Sequence, residues 1–260
     1  MPVARINQFD MYYEAAGKGL PCLFVHGGLG GGNGSATFRQ HQMPALSQHA
    51  EVIAFDRRAA GRSETPSAGY TFGGFVDDII ALLDHLGLAR AVLMATSAGG
   101  PQILQCSLTY PERVVALVLG STATQTVRVP PELASLITFL GTDGLTSLQA
   151  MLAGQDEKAS VNPSAGLPSP LANFGGVLQT YLAYHLHGDP IAARLADINI
   201  PALILHGTAD EEVPFAEAER LQAGLPQAVL VPFEAGGHRI MVTHAESYTQ
   251  AVTSFLYRMG

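Results

Sequence analysis

Six short runs of apolar residues, at 22–25, 52–55, 91–94, 114–119, 202–205 and 229–231, recur along this chain with helical patterns between them. Hydrophobicity that is nearly continuous over three to six residues, rather than alternating, marks strands covered on both faces. Such strands need helices on both sides of their sheet. The intervening stretches supply them: 72–86 carries Phe75, Ile79, Leu82, Leu83 and Leu86 on one stripe, and 215–223 and 247–257 have similar spacing. Strand and helix taking turns in this way dictates an α/β fold with a mostly parallel sheet.

The rhythm is broken twice. Residues 3–14 alternate weakly and predict an antiparallel hairpin at the sheet edge, turning near Gln8. Between the fourth and fifth of the apolar runs no strand pattern occurs; helical segments are predicted at 131–140, 145–152 and 174–186, with a Pro, Ser and Gly cluster at 162–170 too irregular for either regular structure. We therefore read 124–194 as a helical cap inserted into a core made of 1–123 and 195–260. An insertion leaving the carboxyl end of a parallel strand lies over the crevice where such folds place ligands, which makes it a lid.

Composition narrows the partners. The 260 residues are 47% hydrophobic and 14% charged, enough for a large core and no case for disorder. A net charge of -8 with only 14 scattered Lys and Arg argues against nucleic acid and against anionic membrane surfaces, both of which need clustered basic groups. No basic start followed by an apolar block resembles a signal peptide and no run is long enough to span a bilayer, so the expectation is a cytoplasmic protein acting on a small molecule. Monomer and homodimer are equally compatible with the sequence. Cys22 and Cys106 form neither a disulfide framework nor a metal spacing, and both fall in segments that read as core. No metal and no cofactor is expected.

The chemistry gathers at strand ends. Ser97 stands in Ala95-Thr96-Ser97-Ala98-Gly99-Gly100, between an apolar run and a helical stretch at 101–110. Small neighbours allow a sharp strand-to-helix turn that lifts the serine hydroxyl clear of the sheet. The run at 202–205 leads into His206-Gly207-Thr208-Ala209-Asp210, placing the Asp210 carboxylate just before a polar turn and a helix led by Pro214. After the last run, Ala235-Gly236-Gly237-His238 sets a histidine on a glycine-flexed loop. An alcohol attacks a carbonyl only if a base takes its proton, and imidazole, with an ordinary pKa of about 6.5, suits that task. Ser97, His238 and Asp210 thus read as nucleophile, base and orienting acid. The amides of Ala98 and of Gly28, in His26-Gly27-Gly28, are the candidate donors to an oxyanion. The following glycines at 30–32 and 34 lack the Lys-Ser/Thr ending of a phosphate-binding loop and fit a dinucleotide fingerprint only by accident.

As a set, these positions resemble the α/β-hydrolase fold superfamily over almost the whole chain. Asp56-Arg57-Arg58-Ala59-Ala60-Gly61-Arg62-Ser63 is similar to its D-x-R-G-x-G-x-S segment, and Tyr110-Pro111-Glu112-Arg113-Val114 to its Y-P-x-R-V ending. The resemblance implies an eight-stranded, mostly parallel sheet flanked by helices, with the cap after the sixth strand. Two departures stand out: Ala95 replaces the first elbow glycine and Ala59 a loop glycine, so the backbone must accept a Cβ at each. A serine rather than an aspartate at the nucleophile position points to acyl transfer to water. Esters, lactones, amides and activated carbon–carbon bonds remain open.

Leu29 and the cap residues Leu136, Phe139, Leu140, Tyr181 and Tyr184 are candidates for a hydrophobic substrate pocket, although an apolar stripe at helical spacing usually packs against the domain below. The favoured reading is a cofactor-free serine hydrolase of a small, mainly hydrophobic ester or lactone. Residues 26–30 and 56–63 also look like the proline iminopeptidase branch, whose members bind a free amine with lid carboxylates; the lid here offers Glu132, Asp143, Asp156, Glu157 and Asp189. A ligand-sensing protein on the same fold is the non-enzymatic alternative.

Overall fold

In the computed structural model, which describes residues 3–29, 32–125 and 174–259, eight strands among the described residues form one sheet. They are β1 (Val3–Ile6), β2 (Phe9–Ala16), β3 (Pro21–Val25), β4 (Glu51–Phe55), β5 (Ala91–Thr96), β6 (Val114–Gly120), β7 (Ala202–Gly207) and β8 (Ala228–Phe233). Their order is β1-β2-β4-β3-β5-β6-β7-β8. The hairpin β1–β2 is antiparallel and turns through Asn7 and Gln8, both at positive φ (43° and 71°), the backbone that matches the twist of a two-residue turn. β2 joins β4 antiparallel, and every later pairing is parallel. The predicted helices at 131–140 and 145–152, the 162–170 linker, and Leu136, Phe139 and Leu140 lie outside the described residues.

Alternate residues of the central strands enter two separate cores, which is why their sequence reads as an unbroken apolar run. Leu23, Val25, Ile53, Phe55, Leu93, Ala95, Leu117, Leu119 and Ile204 face one side. There they meet α3 (Phe72–His85), α4 (Gly100–Thr109) and α6 (Phe215–Gly224), through residues such as Phe75, Ile79, Leu82, Leu83, Ile103, Leu104, Ala218 and Leu221. Cys22, Phe24, Val52, Ala54, Val92, Met94, Val118, Leu203 and Leu205 face the other. That face is covered by α1 (Ala36–His41), α2 (Met43–Leu46), α7 (Ile240–Thr243) and α8 (Ala245–Leu256). Each fully buried Leu, Ile or Phe contributes about 1.5–3 kcal/mol, so the two cores dominate stability. Helix α3 starts where Thr71 Oγ1 accepts the amide of Gly74 at 2.9 Å, a side-chain cap for an otherwise unpaired donor.

Two expectations need adjustment. β8 was expected to be buried on both faces, but it is an edge strand paired only to β7, and Val229 is 47% exposed. The strand also runs on through Pro232, opposite His206. Helix α5 (Phe174–His187), assigned to the lid, docks on the core: Tyr184 packs edge-on to Phe72 with ring centroids 5.0 Å apart, and Ala183 and Tyr184 join the α3 core.

Candidate active site

The strand β5 ends at Thr96, and Ser97 turns the chain at φ 49° into a single helical turn that feeds α4. A left-handed backbone at a residue with a Cβ costs on the order of 1–2 kcal/mol and persists only where surroundings enforce it. The enforcement comes from close packing that only glycine permits. A Cβ on Gly99 would lie 2.4 Å from the Val25 carbonyl oxygen, one on Gly100 would lie 2.0 Å from Thr122 Oγ1, and one on Gly27 would lie 2.9 Å from Ser97 Cβ. Thr122 Oγ1 also donates to the Ser97 carbonyl at 2.5 Å. Ala95 by contrast is fully buried in the α3-side core, where its methyl is accommodated. Ala59 adopts φ 57°, the conformation for which a glycine would be the unstrained residue.

Asp210 and His238 are brought together by the loops that follow β7 and β8. These dock closely: Ala209 N–H donates to Gly236 O at 2.9 Å, and a Cβ on Gly207 would sit 2.1 Å from that same oxygen. The Asp210 side chain is fully buried. Its Oδ1 accepts the amides of Glu212 and Val213, each at 2.9 Å, while Oδ2 accepts from His238 Nδ1 at 2.9 Å. The carboxylate is thus fixed by the backbone before it orients the ring, and a proton on Nδ1 leaves Nε2 as the basic nitrogen. Glu212 Oε2 stands 3.9 Å from that Nε2. His206, with Nε2 2.9 Å from Val213 O, is a buried support for the same loop, and burial lowers its pKa.

Ser97 and His238 face one cavity of about 410 Å³, whose wall also includes Gly28, Phe24, Phe38, Ser121, Met241 and Tyr248. Gln42 braces the far side of this wall: its Nε2 donates to Met241 O at 2.8 Å and its Oε1 accepts from Thr249 Oγ1 at 2.7 Å, tying α1 and α2 to α7 and α8. Leu29, Tyr181 and Tyr184, chosen from sequence as pocket residues, are not on this wall. Leu29 and Tyr184 pack with the α3-side core, and Tyr181 is 5% exposed.

Tyr184 has a different task. Its hydroxyl donates to Ala98 O and accepts from Gln102 Nε2 at 2.6 Å and from an Arg57 guanidinium nitrogen at 3.2 Å. Arg57 in turn donates to the carbonyls of Gly27, at 3.1 Å, and Gly28. One buried guanidinium therefore spans the turn after β3 and, through Tyr184, the peptide after Ser97. Gly28 itself takes φ 74° and lines the cavity. His26 completes the frame: Nδ1–H donates to Gly27 O at 2.6 Å and Nε2 accepts Arg57 N–H at 3.0 Å, which requires a neutral ring. Burial, reinforced by the Arg57 charge, holds its pKa well below the ordinary imidazole range.

The 56–63 segment is organised by Asp56. Oδ1 accepts from Ser35 N at 2.7 Å and from an Arg39 guanidinium nitrogen at 2.9 Å, and Oδ2 accepts from Arg62 N at 3.0 Å. Arg58 forms a two-pronged pair with Asp78 on α3, at 2.8 and 2.7 Å. Arg57, Gln102, Gln42, Ser121 and Tyr248 were not singled out from sequence. Of these only Arg57 carried a local signal, lying inside the recognisable 56–63 segment.

No cluster of three or more His, Cys, Asp or Glu among the described residues could hold a metal. Cys22 and Cys106 are buried free thiols, and burial pushes both up to about 12. No helix among the described residues is long and apolar enough to cross a membrane.

Comparison with known proteins agrees with this architecture. A family model described as alpha/beta hydrolase fold matches residues 21–154, and one described as TAP-like protein matches residues 186–259. The chain is 30% identical over 263 residues to "Putative carbamate hydrolase RutD" of Caulobacter vibrioides (strain NA1000 / CB15N), covering 95% of each. It is also 30% identical over 259 residues to a 2-hydroxymuconate semialdehyde hydrolase of Pseudomonas putida, covering 92% of this chain and 88% of the relative. Among solved structures it is similar to the enol-lactonase from Burkholderia xenovorans LB400, with a TM-score of 0.75 at 23% identity over 98% of this chain and 100% of the other.

Proposed function

The chain belongs to the alpha/beta hydrolase fold family, and we propose that it is a serine hydrolase that cleaves a small, mainly hydrophobic carboxylic ester or lactone. Ser97 Oγ attacks the carbonyl carbon while His238 Nε2 takes its proton. Asp210, bonded to Nδ1, stabilises the imidazolium without itself being protonated. The amides of Gly28 and Ala98 receive the oxyanion; one such donor is typically worth about 2.7–4 kcal/mol in the transition state. The alkoxide leaves with the proton held on His238, and water, activated by the same imidazole, then hydrolyses the acyl-serine.

The observation that carries this reading is the buried Asp210 held at 2.9 Å from His238 Nδ1, with Ser97, strained at φ 49°, on the same cavity wall. A fluorophosphonate should add once, to Ser97, as mapped by mass spectrometry of the digested adduct, and Ser97→Ala should abolish both labelling and ester turnover. An adduct at another residue, or a hydrolytically competent Ser97→Ala, would overturn the assignment.

A second reading, hydrolysis of an activated carbon–carbon bond, draws on the relative named 2-hydroxymuconate semialdehyde hydrolase. Faster turnover of a vinylogous 1,5-diketone than of p-nitrophenyl esters would favour it. Faster turnover of proline anilide would favour the aminopeptidase alternative.

A further inference from the structure

Two hydroxyl-bearing side chains, Ser121 and Tyr248, line the cavity beside Ser97, and the first of them has no hydrogen-bond partner among the described residues. Ser121 follows β6 directly, is 2% exposed, and its Oγ is buried without a hydrogen-bond partner. It adopts φ 45°, a left-handed backbone that a serine enters only under constraint. Its neighbour Thr122 is already committed to the Ser97 carbonyl at 2.5 Å. Tyr248, on α8, is 3% exposed and lines the same cavity. Its tip lies over Gly120: a Cβ there would come within 2.8 Å of Tyr248 Oη. The last residue of β6 is thus small where the phenol needs room, and the next residue, Ser121, brings a second hydroxyl side chain to the wall of the same cavity.

A buried hydroxyl without a partner is costly, and the one at Ser121, on a strained residue and beside a second hydroxyl on the same cavity wall, needs a reason. Much of the neighbouring wall is apolar, with Phe24, Phe38 and Met241. Its charged residues, Glu212 and Arg239, are solvent-exposed. Burial raises the pKa of Tyr248, so the phenol remains a donor. Two neutral donors on a wall whose only Arg is solvent-exposed suit a neutral acceptor, because a carboxylate would lose its hydration without a buried cation to replace it.

We propose that Ser121 and Tyr248 form a polar subsite that hydrogen-bonds an uncharged oxygen, such as a ketone, carried on the acyl chain of the substrate away from the scissile carbonyl. This inference rests on the hydrolase reading above and narrows it to oxo-acyl substrates.

The test compares p-nitrophenyl 4-oxopentanoate with p-nitrophenyl pentanoate, which differ by one carbonyl in place of a methylene. Each kcat/KM is divided by the uncatalysed rate of its ester. The wild-type ratio is expected to favour the oxo ester by about tenfold or more; Ser121→Ala and Tyr248→Phe should each reduce it severalfold, and the double variant should bring it close to one. A wild-type ratio near one, or a ratio that neither substitution changes, overturns the subsite. A separate arm does not depend on turnover: calorimetric binding of 4-oxopentanamide, pentanamide and the succinamate anion to Ser97→Ala. Tighter binding of the oxo amide, lost on adding Ser121→Ala and Tyr248→Phe, supports the subsite even if neither ester is hydrolysed. Equal affinity for the two amides, or preference for the anion, refutes it. Absence of ester turnover together with no fluorophosphonate adduct at Ser97 would refute the hydrolase reading instead.

Discussion

Single side chains divide here into those that would act and those that hold them in place. Asp210→Asn separates the two. Asparagine Oδ1 can still accept the amides of Glu212 and Val213, so the loop should survive, but its NH2 faces His238 Nδ1 and favours the wrong ring tautomer. The expected outcome is a fall in kcat of about 10⁴ with near-normal thermal stability; a loss below tenfold would remove Asp210 from the proposed relay. Tyr184→Phe removes a hydroxyl that serves Ala98 O, Gln102 and Arg57, leaving buried groups unpaired. Urea unfolding should show a loss of about 1–3 kcal/mol, and kcat should fall further than a stability change alone explains, because the Ala98 peptide is no longer held. Cys22 and Cys106, raised to about 12 by burial, should resist a thiol-titrating reagent in the native state and react only on unfolding. The positions of Ser97, Asp210 and His238 after strand ends were legible in the sequence, because the apolar run before each is recognisable. The hydrogen bond between Arg57 and Tyr184 was not, because it joins residues 127 apart that the docking of α5 on α3 brings together.

Between elements, the buried Arg58–Asp78 pair links the loop after β4 to helix α3. Removing one charge leaves the other buried and unpaired, so Asp78→Ala should cost about 3–5 kcal/mol in chemical unfolding, whereas replacing both partners by apolar residues should cost much less. A small cost for the single substitution would mean that water reaches the pair. The seven inner and N-terminal strands were readable from pattern because alternate side chains both meet apolar cores, or, in the hairpin, because one face does. β8 was misjudged for a physical reason: three consecutive apolar residues look alike whether a strand lies inside the sheet or at its edge. The role of α5 was equally hidden, since a helical apolar stripe does not reveal which surface it will cover.

For the whole molecule, acid should be destabilising before carboxylates titrate. His26 and His206 both have folded pKa values below that of the unfolded chain, about 6.5, because burial disfavours their charged forms. Their contribution is therefore complete above that pH. It is lost as pH falls from 6.5 toward the folded values, since the unfolded state binds protons first, at up to about 1.4 kcal/mol per pH unit for each ring. Urea midpoints measured at pH 7 and pH 5 should decline accordingly; a flat profile would mean that these rings are protonated in the folded protein. The two sheet margins differ in a further respect. Phe233 and Gln227 carbonyls bond toward β7, so by strand parity Pro232 turns its backbone outward. Proline has no N–H to offer, and the margin therefore lacks a donor where an incoming segment would seek one. Growth of the sheet into a neighbouring molecule along that side is obstructed by the covalent structure of a single ring.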